Sequence, residues 1–346
     1  MRRAQTSRLA RLRAHLVGAS AGTEPGFAEK FSVEYMEELA REAAARTEGS
    51  GSLEERVAVQ WFGQKTPPGD GAGVARFSQR IRDLGLEGHI DELDEVGFTV
   101  IPPATLGLAP GLIERMRDGA LRISEERSGI VPDYEGGTTH TDMTSGAGQH
   151  LFYVLFEDEA FIEGLLNPVL RTCMSYMLGP ECVLSSSTSF MRGPGDNFVG
   201  MHSDTDSPRS DSGRRPLQAN CAYLLSDYKG KEGGAIAFVP GSHKLPSGPW
   251  LPEQTVPEKI GAVPVVAPFG SLVVWNGATW HGSYAKKTPG IRVNLTLYHC
   301  AANAMTQERY RETVTDELLD KYGEEFAVLM GQATHNGWQA EGPTCE

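Results

Sequence analysis

The sequence offers little to a disulfide-stapled, membrane-spanning or nucleic-acid-binding protein. Its five cysteines, at 173, 182, 221, 300 and 345, form no Cys-x-x-Cys pair and leave one over if disulfides form. That usage predicts reduced, buried thiols in a cytoplasmic protein. No apolar run approaches the roughly 18 residues that a membrane span needs. The N-terminus carries Arg2, Arg3, Arg8, Arg11 and Arg13 without an acid, but no apolar signal-peptide core follows them. A basic leader on a cytoplasmic protein is expected, with an organelle transit peptide as the alternative. Lys and Arg number 32 against 45 Asp and Glu, a formal charge of -13. With no basic run near any candidate site, such a chain is poorly suited to gripping a phosphate backbone, so no nucleic-acid partner is expected.

Glycine and proline are plentiful, at 40 and 21 of 346 residues, and favour many turns and short strands over a helical bundle. The 40% apolar content is enough for one large domain or two smaller ones. Apolar residues recur at helical spacing over 27–45, 53–62, 74–84, 90–97 and 112–127, with a short strand at 98–102. Another helical stretch, 161–177, is interrupted near Asn167 and Pro168. Between them, residues 132–148 are Gly-rich and nearly devoid of large apolar side chains. From residue 183 the period changes to two, with strands expected at 219–225, 235–239, 270–275 and 291–299. In the last, Ile291, Val293, Leu295 and Leu297 alternate with Arg292, Asn294, Thr296 and Tyr298, as on the wall of a lined cavity. An amphipathic helical tail, 306–330, presents Tyr310, Val314, Leu318, Tyr322 and Phe326. The expected fold is α+β with a mainly β core, a double-stranded β-helix of jelly-roll or cupin-like form with packed N- and C-terminal helices. Its divisions are a helical extension (1–92), the β-helix domain (93–300) and a C-terminal helix and tail (301–346).

The chemistry concentrates between Arg192 and Arg292. His202 and Asp204 are two apart, so in an extended segment both side chains leave one face. His281, far downstream, supplies a third candidate ligand. Two histidines and one carboxylate with open positions suit non-haem Fe(II) that activates oxygen. Arg292 could grip a dicarboxylate by a two-pronged salt bridge, with Asn294 and Thr296 on the same strand face. Zinc could use the same three ligands to activate water, and a non-catalytic ligand-binding jelly roll is the remaining alternative. A second His-x-Asp, His140 and Asp142, lies in the Gly-rich tract and is better placed as a lid or substrate contact. His243 is expected in a structural turn, His299 as a packed histidine, and Asp206 in a loop.

Several motifs occur in one order: Arg192-Gly-Pro-Gly195, His202-Ser-Asp204, Gly233-Gly-Ala-Ile-Ala-Phe-Val-Pro-Gly-Ser-His243, Trp280-His-Gly-Ser283 and Arg292. This set resembles the phytanoyl-CoA dioxygenase-like (PhyH) branch of the Fe(II)/2-oxoglutarate oxygenases, over residues 93–298. The resemblance implies Fe(II) on His202, Asp204 and His281, with 2-oxoglutarate and molecular oxygen as co-substrates. It implies the far carboxylate of 2-oxoglutarate on Arg292, and Arg192 where relatives carry a basic residue nearby. Halogenating relatives lack the carboxylate ligand, so Asp204 implies hydroxylation, desaturation or another oxidative step. Tyr134, His140, Asp142 and His150, in or beside the Gly-rich tract, are candidate substrate contacts. Trp275 and Trp280 bracket His281, and Trp280 is the further candidate for orienting the iron-bound face. The expected partner is a small molecule, a free metabolite or natural-product intermediate, since no cationic cluster suggests a CoA phosphate site. The protein is expected as a monomer or homodimer, away from membranes.

Overall fold

Helix α1 (Leu53–Phe62) begins at a reciprocal cap: Ser52 Oγ accepts from the Glu55 N–H, and the Glu55 side chain accepts from the Ser52 N–H. It belongs to a computed structural model that describes residues 51–67, 69, 71–141, 148–205, 216–245, 248–249 and 252–332. The helix expected at 27–45 lies outside these residues, as do Asp142, Asp206 and Cys345. Helices α2 (Ala72–Asp83) and α3 (Glu87–Val96) follow α1. Then come strand β1 (Phe98–Ile101), the single turn α4 (Pro103–Leu106) and α5 (Leu112–Ser128). Beyond the short strand β2 (Gln149–Phe152) the interrupted helix resolves into α6 (Glu159–Leu165) and α7 (Pro168–Leu178). Asn167 causes the break. Its side chain accepts from the Val169 and Leu170 N–H groups, and Pro168 takes the first helical position, where no N–H is needed.

Nine further strands build the β core: β3 (Val183–Arg192), β4 (Gln218–Leu224), β5 (Tyr228–Lys229), β6 (Ile236–Phe238), β7 (Val263–Pro264), β8 (Val266–Ala267), β9 (Leu272–Asn276), β10 (His281–Ser283) and β11 (Arg292–Cys300). The large sheet is antiparallel, in the order β1-β9-β4-β11-β3-β2; β10-β6-β7 and β5-β8 form smaller sheets. Large and small sheets pack face to face: Leu224, Val273 and Trp275 share a buried cluster with Ile236 and Phe238, and Phe98 stacks on Phe238 at 4.4 Å. This is the α+β, double-stranded β-helix arrangement. Two strands of the large sheet, β1 and β2, precede residue 183; β2 has four residues after a Gly-rich tract, too few for a period to show.

Strand β11 lies at the centre, paired with β3 on one side and β4 on the other. Its alternation is the expected one: Val293, Leu295 and Leu297 enter the main core, while Arg292, Asn294, Thr296 and Tyr298 line a cavity. The N-terminal helices share that main core, through Leu53, Val57, Ile81 and Ile90. They are also tied down by Asp94, which accepts from Arg56 at 2.9 Å and from the Tyr176 hydroxyl at 2.8 Å. Two C-terminal helices, α8 (Tyr310–Thr313) and α9 (Asp316–Leu329), cover the core with Tyr310 and Phe326 buried and Val314, Leu318 and Tyr322 packed on it. Cys173, Cys182, Cys221 and Cys300 are free and buried. No helix among the described residues is long and apolar enough to cross a membrane.

A register shift between Tyr298 and His299 marks the end of the regular ladder. His299 is fully buried; its Nδ1 meets the Leu297 carbonyl at 2.9 Å, and its Nε2 has no partner. Burial, reinforced by the positive charge of Arg171, pushes this imidazole down to about 3. The unfolded chain therefore takes up a proton below its ordinary value near 6.5 while the folded chain does not, so stability is full above that pH and drains away as pH falls towards 3. His299→Leu should melt at a temperature that changes less between pH 7.5 and pH 5 than wild type does, measured by calorimetry in matched buffers.

Candidate active site

The site is assembled from two distant segments by backbone pairing. His202 N–H donates to the His281 carbonyl and His281 N–H to the His202 carbonyl, both at 2.8 Å, an isolated antiparallel bridge. Asp204 N–H is then fixed on the Gly277 carbonyl at 2.8 Å. As a result the imidazole centroids stand 4.3 Å apart, and Asp204 lies 3.8 Å from His202 Nε2 and 3.5 Å from His281 Nε2. One ligand atom from each of the three residues falls within 4.8 Å of the others.

The donor set fits a divalent metal. His202 Nδ1 lies 2.9 Å from the Gly200 carbonyl, and His281 Nδ1 lies 2.9 Å from that of Thr279. A carbonyl only accepts, so each Nδ1 carries the proton and each Nε2 keeps its lone pair for a ligand. Asp204 Oδ2 is buried with no hydrogen-bond partner among the described residues, costly for a carboxylate unless a cation completes it. Burial, only partly offset by the Asp204 charge, pushes His281 down to about 4 and leaves its ring neutral at physiological pH. His202 is the more open side, with its side chain 46% exposed against 8% for His281.

Arg292 and Arg192 face each other as Cα partners on β11 and β3. Both are buried, and neither makes an ion pair with a carboxylate among the described residues. Arg292 donates to the Gly234 carbonyl at 2.7 Å and lies 5.4 Å from the centre of the Tyr228 ring; its Nε is unpartnered. Tyr228 in turn accepts from Asn294 Nδ2 at 2.9 Å. Arg192 gives its Nη1 to Ser283 Oγ at 2.6 Å and to the Tyr284 carbonyl at 3.1 Å, and does not line the cavity. Burial first, and the charge of Arg292 second, push Arg192 down to about 9. Buried Lys286, absent from the sequence expectations, caps the turn before β11 by donating to the Thr288 and Pro289 carbonyls; burial and Arg292 lower it to about 8. Cations gathered without a counter-charge are an arrangement that an anionic ligand completes.

A cavity of about 270 Å³ joins these groups. His202, Asp204, His281, Arg292, Asn294 and Thr296 all line it, so the sequence-derived ligand and co-substrate residues converge, Arg192 apart. Among the described substrate candidates only His150 does so, edge-on to Phe190 at 4.2 Å. Tyr134 lies outside, half-buried, beneath the Arg117 guanidinium at 5.5 Å, with its hydroxyl 3.3 Å from the Leu225 carbonyl. His140 is half-buried outside the cavity. Trp280 packs in a separate small core with Met201, Val239 and Tyr284. Lining residues that went unread include Ser186, Thr188 and Phe190; their alternation along β3 mirrors that of β11 and could have revealed them. Gln307, in the loop before α8, carries no such signal.

A profile of the phytanoyl-CoA dioxygenase (PhyH) family matches residues 93–294, more than half of the chain. The chain belongs to this family, and is a dioxygenase. Dioxygenase af480 of Aspergillus fumigatus is 25% identical over 269 residues, 76% of this chain and 82% of the relative. Ectoine dioxygenase of Stutzerimonas stutzeri is 25% identical over 243 residues, 62% and 77% of the two chains. In fold, the chain is similar to HygX from Streptomyces hygroscopicus, solved with nickel and 2-oxoglutarate bound: TM-score 0.50, 18% identity, 64% of this chain and 88% of that one.

Replacing Asp204 with Ala removes the one carboxylate of the set. Calorimetric titration with Mn(II) under argon should then show binding weakened by at least a hundredfold, on the order of 3 kcal/mol, the scale of a buried charge losing its partner. His140→Ala should bind Mn(II) as wild type does. The reverse pattern would move the metal site away from Asp204.

Proposed function

We propose that this dioxygenase hydroxylates an uncharged small molecule, consuming 2-oxoglutarate and O2 and releasing succinate and CO2. His202, Asp204 and His281 hold the iron; Arg292 holds the far carboxylate of 2-oxoglutarate, with Asn294 and Thr296 beside it. The observation that carries this reading is the meeting, in one cavity, of a two-histidine, one-carboxylate set and a buried guanidinium with no carboxylate partner among the described residues. Iron with 2-oxoglutarate supplies the oxidising power. The chain's own contribution is positional. Backbone carbonyls at Gly200 and Thr279 fix both imidazoles, and the Tyr228 ring and Gly234 carbonyl fix the guanidinium. Buried walls from β4, β9 and β11 close the His281 side of the reacting centre, while His202 marks its open side.

The substrate class follows from the same lining. Among the described residues, no Lys, Arg, Asp or Glu apart from Asp204 and Arg292 lines the cavity; its wall includes the aromatic Phe152 and Phe190 and the neutral-polar Ser186, Thr188, Asn220 and Gln307. Such a wall suits a ring-bearing, oxygenated metabolite. Hydroxylation balances as one oxygen atom entering a C–H bond of the substrate and the other entering succinate.

Succinate release measured against 2-oxoglutarate concentration tests the assignment of Arg292. Arg292→Ala should raise the 2-oxoglutarate requirement by tenfold or more, with Mn(II) affinity nearly unchanged, because a charged hydrogen-bonding partner is lost. Arg292→Lys should recover only part, since a point charge replaces the planar fork. An Arg292→Ala protein that melts normally and uses 2-oxoglutarate at the wild-type concentration would remove this residue from the site.

A further inference from the structure

One buried donor in the cavity has no function in the account so far. Trp275, on β9, lines the cavity and is only 3% exposed, yet its indole N–H meets no acceptor among the described residues. Buried N–H groups are rarely left in that state, because the lost hydrogen bond with water is not replaced. Its ring centroid stands 5.2 Å from that of His281, so the indole lies beside a proposed iron ligand.

Strand register places this tryptophan relative to Arg292. Trp275 pairs with Asn220, Asn220 with Tyr298, and Tyr298 with Ser186, so these four residues form one row across the large sheet. Arg292 lies on the same face of β11, six residues from Tyr298, or roughly 20 Å at the rise of a strand. An extended arginine side chain followed by a five-carbon diacid covers roughly 13 Å at ordinary bond lengths. Trp275 stands two strands over from β11, which adds roughly 10 Å sideways and makes the span roughly 22 Å; the gap left is roughly the reach of a tryptophan side chain together with its hydrogen bond. A co-substrate anchored at Arg292 therefore ends within reach of the Trp275 row.

We propose that Trp275 binds the co-substrate: its indole N–H donates to the carboxylate of 2-oxoglutarate adjacent to the keto group, the end remote from Arg292. The inference rests on the 2-oxoglutarate reading above and adds a second anchor to it. An anionic oxygen is the strongest acceptor available to a buried N–H, and two anchors at opposite ends fix both position and direction.

Titrations with Mn(II)-loaded protein under argon separate the ends of the ligand, with 2-oxoglutarate and pyruvate as probes. Pyruvate keeps the keto-carboxylate and lacks the far carboxylate. Trp275→Phe should weaken both probes on the order of tenfold, the cost of removing one donor from a charged acceptor, and leave Mn(II) affinity unchanged. Arg292→Lys should weaken 2-oxoglutarate alone. A second readout uses the five tryptophans as indole 15N–H probes in wild-type protein loaded with Zn(II). The resonance missing from Trp275→Phe should move downfield and exchange more slowly with water when 2-oxoglutarate is added. Wild-type protein that binds 2-oxoglutarate while Trp275→Phe binds it equally well, or an indole resonance that stays put, would overturn the role of Trp275 and leave the function standing. Wild-type protein that fails to bind 2-oxoglutarate at all would instead overturn the function itself.

Discussion

Two hydrogen bonds hold the site together. The reciprocal backbone pair between His202 and His281 brings a loop after β3 against the first residue of β10 and sets the two imidazoles side by side, with Asp204 then fixed by the Gly277 carbonyl. Close approach of the chains makes this pairing possible. A Cβ at Gly282 would stand 2.5 Å from the Val199 carbonyl oxygen, and one at Gly277 would stand 2.7 Å from that of Gln218, both against backbone that cannot swing aside. Glycine is thus required at these two positions for steric reasons before any chemistry is considered.

The pairing is braced from outside the β core. Thr279 Oγ1 donates to the Gly97 carbonyl at 2.9 Å, and the Thr279 carbonyl receives the His281 Nδ1 proton. Gly97 caps α3 and packs against both Thr279 and His243. His243 is buried there with its Nε2 3.2 Å from the Asp94 carbonyl, and the Asp94 side chain joins α1 and α7. The described N-terminal helices therefore reach the candidate ligand His281 through one carbonyl and one hydroxyl. Packing alone would have positioned the imidazole less narrowly, because an unbonded ring turns about two side-chain torsions.

Much of this was legible in the sequence, for identifiable reasons. Period-two alternation in β11 assigned Arg292, Asn294 and Thr296 to the cavity because the central strand is buried on both faces and its polar face must have an interior partner. The His202-x-Asp204 pair was legible from spacing alone. Partners that depend on register between distant strands were not: Arg192 opposite Arg292, Trp275 beside Asn220, and Gln307 accepting from Ser186 across a gap of more than a hundred residues. Trp280 and Trp275 illustrate the limit. Both shortly precede His281 in sequence, but β9 sends Trp275 into the cavity while the pairing of β10 with β6 sends Trp280 into a separate small core.

The central proposal is that one cavity would hold iron and 2-oxoglutarate together, with His202, Asp204 and His281 as the residues that would hold the metal. Chelation of Fe(II) by an α-keto acid produces a weak metal-to-ligand charge-transfer absorption in visible light that neither component gives alone. Anaerobic titration of the Fe(II)-loaded protein with 2-oxoglutarate should raise this band to saturation at one equivalent per chain, and admitting oxygen should bleach it. Protein that binds both Fe(II) and 2-oxoglutarate with no such band would contradict the account, because the two would then occupy separate sites.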